Sequence, residues 1–380
     1  VIGVVDLDLD LTEDQELFRQ TTARFIEASC PLTEVRALMD TSTGLGDGYL
    51  RQAAELGWFA MLLPEEHGGG SISGEGVRDA AIVAEERGRG LQPGPFVPMN
   101  VVGFALGHQG SEEQKSKVLP ALAAGEATAT WVLAGPEGDW RPGSAVRAAE
   151  RAGSFELSGT AGLVQDAHVA DWLLVTAGSD AGLTQFLVPT SAPGVHVEPQ
   201  RSLDLTRRFC RVRFERVEAG PADVVGEVGG ADDAVERQLR LAVVLLVAES
   251  VGAMDADFQM TLEYAKARTA FGRPIGSFQA VKHQLADTSL ALEASKAVAA
   301  AAIRAVQDDR PEAGEVASIA KAYVGDAGID LAQNCWQVFG GIGYTWDHDQ
   351  HLYLRRLTTD ASLYGEPSWH RERICAIHDL

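Results

Sequence analysis

Arg268-Thr-Ala-Phe-Gly-Arg-Pro-Ile-Gly-Ser-Phe-Gln279 lies between two long apolar stretches with helical spacing. Two glycines and a proline punctuate it, so local chemistry reads a short loop between helices. Arg268 and Arg273 each present a planar fork of donors suited to phosphate or carboxylate. A second turn, Gln337-Val-Phe-Gly-Gly-Ile-Gly-Tyr344, follows further along the chain, after two more helical stretches. Paired glycines let backbone N–H groups come close to an anion. Either stretch alone reads equally well as a solvated turn. Together they offer fixed positive charge and approachable backbone N–H groups, as a phosphate needs.

Outward from this loop the chain is helical on both sides. Asp232–Arg268, Phe278–Val306 and Ala313–Gln337 have helical periodicity, and their alanines suit close helix packing. Asp349–Arg356 leads into a helical tail. Residues 126–226 have a different texture. Thr128–Leu133, Ser154–Leu157, Trp172–Thr176 and Gln185–Val188 are short runs separated by Gly, Pro, Asp and Ser, and Arg211–Val217 alternates as a half-buried strand does. Before residue 126 helices return: one from residue 11 with Thr12 as N-cap, then Tyr49–Gly57, Val77–Arg87 and Glu112–Ala124. Leu91-Gln-Pro-Gly-Pro95 reads as a break. Expected domains are therefore 1–125 helical, 126–226 an antiparallel β-domain, and 227–380 a helical bundle.

The 380 residues are 46% hydrophobic and 23% charged, as in ordinary globular chains. A net charge of −22 repels phosphate backbones, so nucleic acid is excluded as a partner. Cys30, Cys210, Cys335 and Cys375 have no CxxC spacing and read as reduced thiols, which suits the cytoplasm. No apolar run reaches membrane-spanning length and no leader pattern opens the chain. The first residue is Val1 rather than methionine, so the start is expected upstream or processed.

The string Arg-x-x-Phe-Gly-x-x-Ile-x-x-Phe-Gln, with the later Gln-x-x-Gly-Gly-x-Gly-Tyr, closely resembles the acyl-CoA dehydrogenase flavoproteins. The resemblance covers essentially the whole chain. It implies a mainly α fold with a central antiparallel, barrel-like β-domain and a C-terminal four-helix bundle that assembles oligomers. It also implies FAD, held across a subunit interface. Arg268, Phe271, Gln279, Gln337, Gly340 and Gly341 would then bind its ADP half, with Arg268 as the phosphate fork and Phe271 as an apolar wall.

The other half of the family's site is not legible here. Removal of a thioester α-proton needs a carboxylate base, which the family places at one of two positions. The resemblance puts them at Gly365, within Leu363-Tyr-Gly-Glu-Pro-Ser-Trp369, and at Ala242, within Leu239-Arg-Leu-Ala-Val-Val-Leu245. Neither can act as a base. Glu366, one residue late, and Glu249, two turns beyond Ala242, are weaker candidates. A solvated carboxylate and an ion-paired helix residue are the plainer readings of these two. The flavin-ring contacts are replaced as well: Leu133–Trp140 carries Ala134 where the family has threonine. Leu163-Val-Gln-Asp-Ala167 lacks the family's tryptophan and threonine. Arg240 replaces an acidic residue near the CoA moiety.

This pattern of loss resembles the non-catalytic subunit of the heterotetrameric acyl-CoA dehydrogenases of actinobacterial steroid catabolism. The implied partners are a catalytic subunit that shares the FAD and binds the acyl-CoA, and an electron-transferring flavoprotein as acceptor. The alternatives are a self-sufficient homotetramer using Glu249 or Glu366, and a flavin-free scaffold or acyl-CoA-binding protein. His348 and His351 flank Asp349 but read as helix-start polar groups, and no metal is expected. Arg207 and Arg208 read as surface cations of the β-domain.

Overall fold

The structure, a computed structural model, describes residues 11–380. Two compact units make up the chain, each drawn from separate stretches. One takes the chain up to Leu32, Ala81–Gln92 and Val243–Leu380; the other takes Thr33–Ala80 and Pro93–Ala242. Before the sheet come helices α1 (Glu13–Ser29), α2 (Leu32–Leu38), α3 (Tyr49–Glu55), α4 (Gly76–Arg89), α5 (Phe96–Gln109) and α6 (Glu112–Ala123). Thr12 caps α1 through a reciprocal pair: Gln15 N donates to Thr12 Oγ1 and Thr12 N donates to Gln15 Oε1. Ser111 and Gln114 cap α6 in the same way.

The second unit is built on one eight-stranded sheet. Its strands are β1 (Ala129–Val132), β2 (Val146–Arg151), β3 (Ser154–Gln165), β4 (Trp172–Ser179), β5 (Gly182–Pro189), β6 (Val195–Gln200), β7 (Phe209–Ala219) and β8 (Val224–Val225). The order is β6-β7-β3-β2-β4-β5-β8, with β1 on β4. The sheet is open rather than a closed barrel. It is antiparallel except that β1 and β2 both run parallel to β4. Alternation identifies a strand but not the direction of its neighbour, which is why the parallel pairs were not expected. Val132, Leu157, Leu173, Val175, Phe186 and Val212 are fully buried on its core face. Strand β7 does not alternate cleanly. Arg216 takes a left-handed φ of 52°, and the buried positions move from Val212 and Phe214 to Val217 and Ala219. This is a β-bulge, with the matching register shift against β3.

The first unit is a helical bundle that holds α1 and most of α4. Its other helices are α7 (Asp232–Ala267), which it takes from Val243 onward, α8 (Gln279–Gln307), α9 (Ala313–Phe339), α10 (Gln350–Ser362) and α11 (Pro367–Ile377), with a hairpin of β9 (Thr269–Ala270) and β10 (Arg273–Pro274) after α7. Helix α9 packs against α8, α10 and α11. Small residues make this possible: a Cβ on Gly325 would come within 2.9 Å of Pro367, and one on Gly328 within 3.3 Å of Leu357. Gly88 of α4 and Gly252 of α7 make a closer crossing still. A Cβ on Gly88 would overlap the Glu249 carbonyl, and one on Gly252 the Glu85 carbonyl.

Candidate cofactor-binding site

The Arg268–Gln279 stretch is a β-hairpin, not an irregular loop. Phe271 and Gly272 form its two-residue turn, with φ of 53° and 78°. Two left-handed residues in succession match the twist of paired strands, and glycine takes the second at no steric cost. The base is closed by Ile275 N donating to Arg268 O at 2.8 Å, and Arg268 N donates to Tyr264 O at 2.8 Å in the last turn of α7. At the tip Phe271 is 96% exposed. Phe278 supports it edge-on, with ring centroids 6.2 Å apart. The Arg273 guanidinium lies over the same Phe278 ring at 4.1 Å, a cation–π contact. Arg273 is therefore committed locally. The exposed side chains of Arg268, Gln279 and Gln337 have no partner among the described residues.

The glycine turn lies at the same end of the bundle. Tyr264, in the last turn of α7, packs on Phe339 at the end of α9, with centroids 4.7 Å apart. Gln284 Nε2 of α8 donates to Asn334 O of α9 nearby. Arg268 and Gly340 each follow closely on one of these two aromatic rings. Gly340 has φ 61° and ψ −135°, a region that only glycine populates readily. No atom would meet a Cβ on Gly340 or Gly341 within 4 Å, so here glycine serves backbone geometry and an open approach. A cavity of about 270 Å³ adjoins this turn, lined by Gln333, Trp336, Gln337, Gly340 and Tyr344. Trp336 and Tyr344 meet edge to face at 4.9 Å. They give the cavity an aromatic wall that the sequence pattern did not single out. A free guanidinium, two free amides, an open glycine turn and an aromatic wall fit an ADP group.

The positions that the resemblance gives for a base are different in kind. Ala242 is fully buried. Glu249 is also buried, and its Oε1 accepts a 2.6 Å hydrogen bond from Arg356 Nη1, while Arg356 Nη2 donates to Leu91 O and Gln92 O. The carboxylate proposed as a displaced base is thus half of an internal ion pair. Glu366 is exposed, at the N-cap of α11. Gly365 sits in a left-handed pair with Tyr364, at φ 107° and 56°. Lys321 Nζ, buried in the bundle, donates at 2.8 Å to Gly365 O and to Ala361 O. His370 Nε2 lies 3.1 Å from Tyr364 O.

Burial pushes the Lys321 ammonium down to about 7, against the pull of Asp360 and Glu366. The unfolded chain therefore holds a proton between pH 7 and 10.5 that the folded chain has released. Stability rises with pH wherever the unfolded state binds more protons. Measured by urea unfolding, wild type should gain on Lys321→Met as pH rises from 7 to 10, by at most about 1.4 kcal/mol per pH unit. A difference that falls with pH would show a charged lysine.

In the sheet unit, the positions that resemble ring contacts are turned inward. Gln165, where the family has threonine, donates from Nε2 to Gly94 O at 3.1 Å and is buried. Gly162 N donates to Ala134 O, and a Cβ on Gly162 would meet Pro136 O at 2.8 Å. The 134–136 backbone thus lies directly on β3. Arg240 pairs with Glu236 of its own helix at 3.3 Å. Arg207 and Arg208 are not surface cations. Arg207 is 3% exposed. Arg208 Nη2 donates to Leu38 O, Met39 O and Thr41 O, closing the C-terminus of α2. The α2 carbonyls that Arg208 meets lie far away in sequence, so no local pattern could reveal that contact. His348 Nδ1 accepts from Gln350 N at the start of α10, and His351 stacks on Trp346 at 5.0 Å. Among the described residues no group of three or more His, Cys, Asp or Glu is placed to hold a metal.

Residues 12–126 match the acyl-CoA dehydrogenase N-terminal domain family, and residues 229–376 match its C-terminal domain family. The acyl-CoA dehydrogenase IpdE2 of Mycobacterium tuberculosis is 31% identical over 356 residues, covering 93% of this chain and 94% of that protein. The chain belongs to the acyl-CoA dehydrogenase family. Among solved structures, the ChsE4–ChsE5 complex from Mycobacterium tuberculosis superposes with a TM-score of 0.90 at 27% identity, covering 98% of this chain and 99% of that one. A variant of the Tcur3481–Tcur3483 steroid ACAD gives a TM-score of 0.87 at 26% identity, covering 97% and 98%. Among the described residues no helix is long and apolar enough to cross a membrane.

Proposed function

We propose that this chain is the non-catalytic subunit of a heteromeric, FAD-dependent acyl-CoA dehydrogenase, acting in the cytoplasm. Its role is to hold the ADP half of a flavin whose reactive half lies in a catalytic partner. The observation that carries this reading is the contrast between two regions of one bundle. Arg268, Gln279 and Gln337 stand exposed and without partners among the described residues, at the end of the bundle that carries an open glycine turn, whereas Gly365 offers no carboxylate and Glu249 is bound to Arg356. When bound, FAD supplies the acceptor for the hydride leaving the thioester β-carbon. Here Arg268 would neutralise phosphate, Gln279 and Gln337 would hydrogen-bond phosphate or ribose, and Phe271 would wall off water. The backbone of Gly340 and Gly341 would approach the pyrophosphate.

One similar structure is the ChsE4–ChsE5 complex and another, Tcur3481–Tcur3483, is a steroid ACAD; the first supports a heteromeric assembly and the second a steroid side-chain CoA ester as the substrate class. The acyl-CoA would bind mainly on the partner, and an electron-transferring flavoprotein would reoxidise the flavin. The test is to purify the chain alone and after coexpression with a candidate catalytic subunit, then record flavin absorbance and dye-linked acyl-CoA oxidation. The expected result is a colourless, inactive single chain that becomes yellow and active with its partner. A yellow, active single chain would overturn the reading. In the active pair, Arg268→Ala should lower FAD retention by about tenfold or more, as befits loss of a charge-assisted hydrogen bond of about 1.5–3 kcal/mol. Flavin released per protein after dialysis measures it.

A further inference from the structure

Gly365, the position that lacks the base, is not an empty place waiting for a side chain. Its φ of 107° already disfavours any residue but glycine. A Cβ built there would overlap Trp369 Cε3 and lie 2.9 Å from His370 Nε2. The Trp369 ring is itself held: the Arg373 guanidinium lies over it at 4.8 Å, and the His370 ring meets it edge-on at 4.9 Å. Beneath, Lys321 Nζ anchors the Gly365 carbonyl to α9. His370 touches the Tyr364 carbonyl from the other side of the turn.

We propose that Trp369 closes this chain's own reaction site. Its ring stands in the first volume that a side chain at position 365 must cross, so packing holds the loss of the base in place. The turn now fastens α11 to the bundle through Lys321 and His370. This proposal rests on the reading of Gly365 as the family's base position, given under Proposed function. It is testable without flavin or partner, so its failure and the failure of that reading are told apart.

The experiment is a double-mutant cycle on the full chain, followed by thermal unfolding. Gly365→Ala should lower the melting temperature by several degrees, and Trp369→Ala should lower it as well. In the Trp369→Ala background, Gly365→Ala should cost clearly less than it does in wild type, because the overlap with the ring is gone and only the backbone strain and the His370 contact remain. If the Gly365→Ala chain does not fold, its recovery as a folded protein on adding Trp369→Ala is the same result. Additive losses, an unchanged melting temperature for Gly365→Ala, or no recovery would each overturn the proposal.

Discussion

Glu249→Ala should lower the stability of the chain by about 3–5 kcal/mol, the cost of stripping one partner from a buried ion pair. Arg356 is fully buried and its Nη1 donates at 2.6 Å to Glu249 Oε1. Without Glu249 that buried guanidinium loses the carboxylate bonded to its Nη1, while Nη2 still donates to the Leu91 and Gln92 carbonyls at 3.2 and 3.3 Å. The loss is therefore that of a charge left in a dry place rather than of one hydrogen bond. Replacing both members, Glu249→Leu with Arg356→Met, should cost much less than the sum, since no unpaired charge remains. Urea unfolding followed by circular dichroism measures both. If the Glu249→Ala midpoint stayed at the wild-type value, the pair would not be buried as described. Such a loss also guards against a misreading, because an inactive Glu249 variant would otherwise suggest a missing base.

The second large effect is expected at the α4–α7 crossing, and its sign runs against local propensity. An alanine is worth about 1 kcal/mol over a glycine inside an isolated helix. Gly88→Ala should nonetheless destabilise the chain by about 3 kcal/mol, the upper end of the overpacking range. The obstacles are backbone atoms: the new methyl would overlap Glu249 O and stand 2.7 Å from Glu249 C. A flexible side chain could swing away, but a helix backbone cannot without separating the two helices. Gly252→Ala should behave alike, because its methyl faces Glu85 O and Glu85 C in the same way. Gly46→Ala, with no atom within 4 Å, serves as the control and should change stability by less than about 0.5 kcal/mol. A stabilised Gly88→Ala chain would mean that the crossing is looser than the structure has it.

Much of the architecture was legible in the sequence because the long helices carry strong signals. Helices α7, α8 and α9 were expected within a few residues of where they lie. Helix α5 was missed for the opposite reason. Phe96–Gln109 is buried nearly all round, so it has no polar face to set a period, and the prolines before it and Pro98 within it read as breaks. Strand β6 was missed because it is short, ends in Pro199-Gln200 and lies at the edge of its sheet, where few of its side chains are buried.

The candidate site divides along the same line. Arg268, Phe271, Gln279, Gln337, Gly340 and Gly341 could be named from sequence because each motif is continuous. What became of the base could not, because Glu249 meets Arg356, and Lys321 meets Gly365, across long separations in the chain. Trp336 and Tyr344 flank the named turn closely, and their aromatic type was the signal that could have found them. Gly272 in the hairpin turn was read only as punctuation, although Phe-Gly between two short extended pairs is a hairpin pattern.

The hairpin that carries Phe271 has a kinetic consequence. Its turn is fixed by two left-handed residues, its base by a backbone hydrogen bond from Ile275 to Arg268, and its tip by Phe278. In the proposed role the clamp is thus already shaped before it meets a second subunit. Assembly would then need orientation of two preformed surfaces rather than folding of a segment on contact, and a preformed surface avoids the entropy of ordering at the encounter. Subunit association would be expected at ordinary protein–protein rates of about 10⁵–10⁷ M⁻¹s⁻¹. Loosening the turn would slow productive encounters before it weakened the finished assembly.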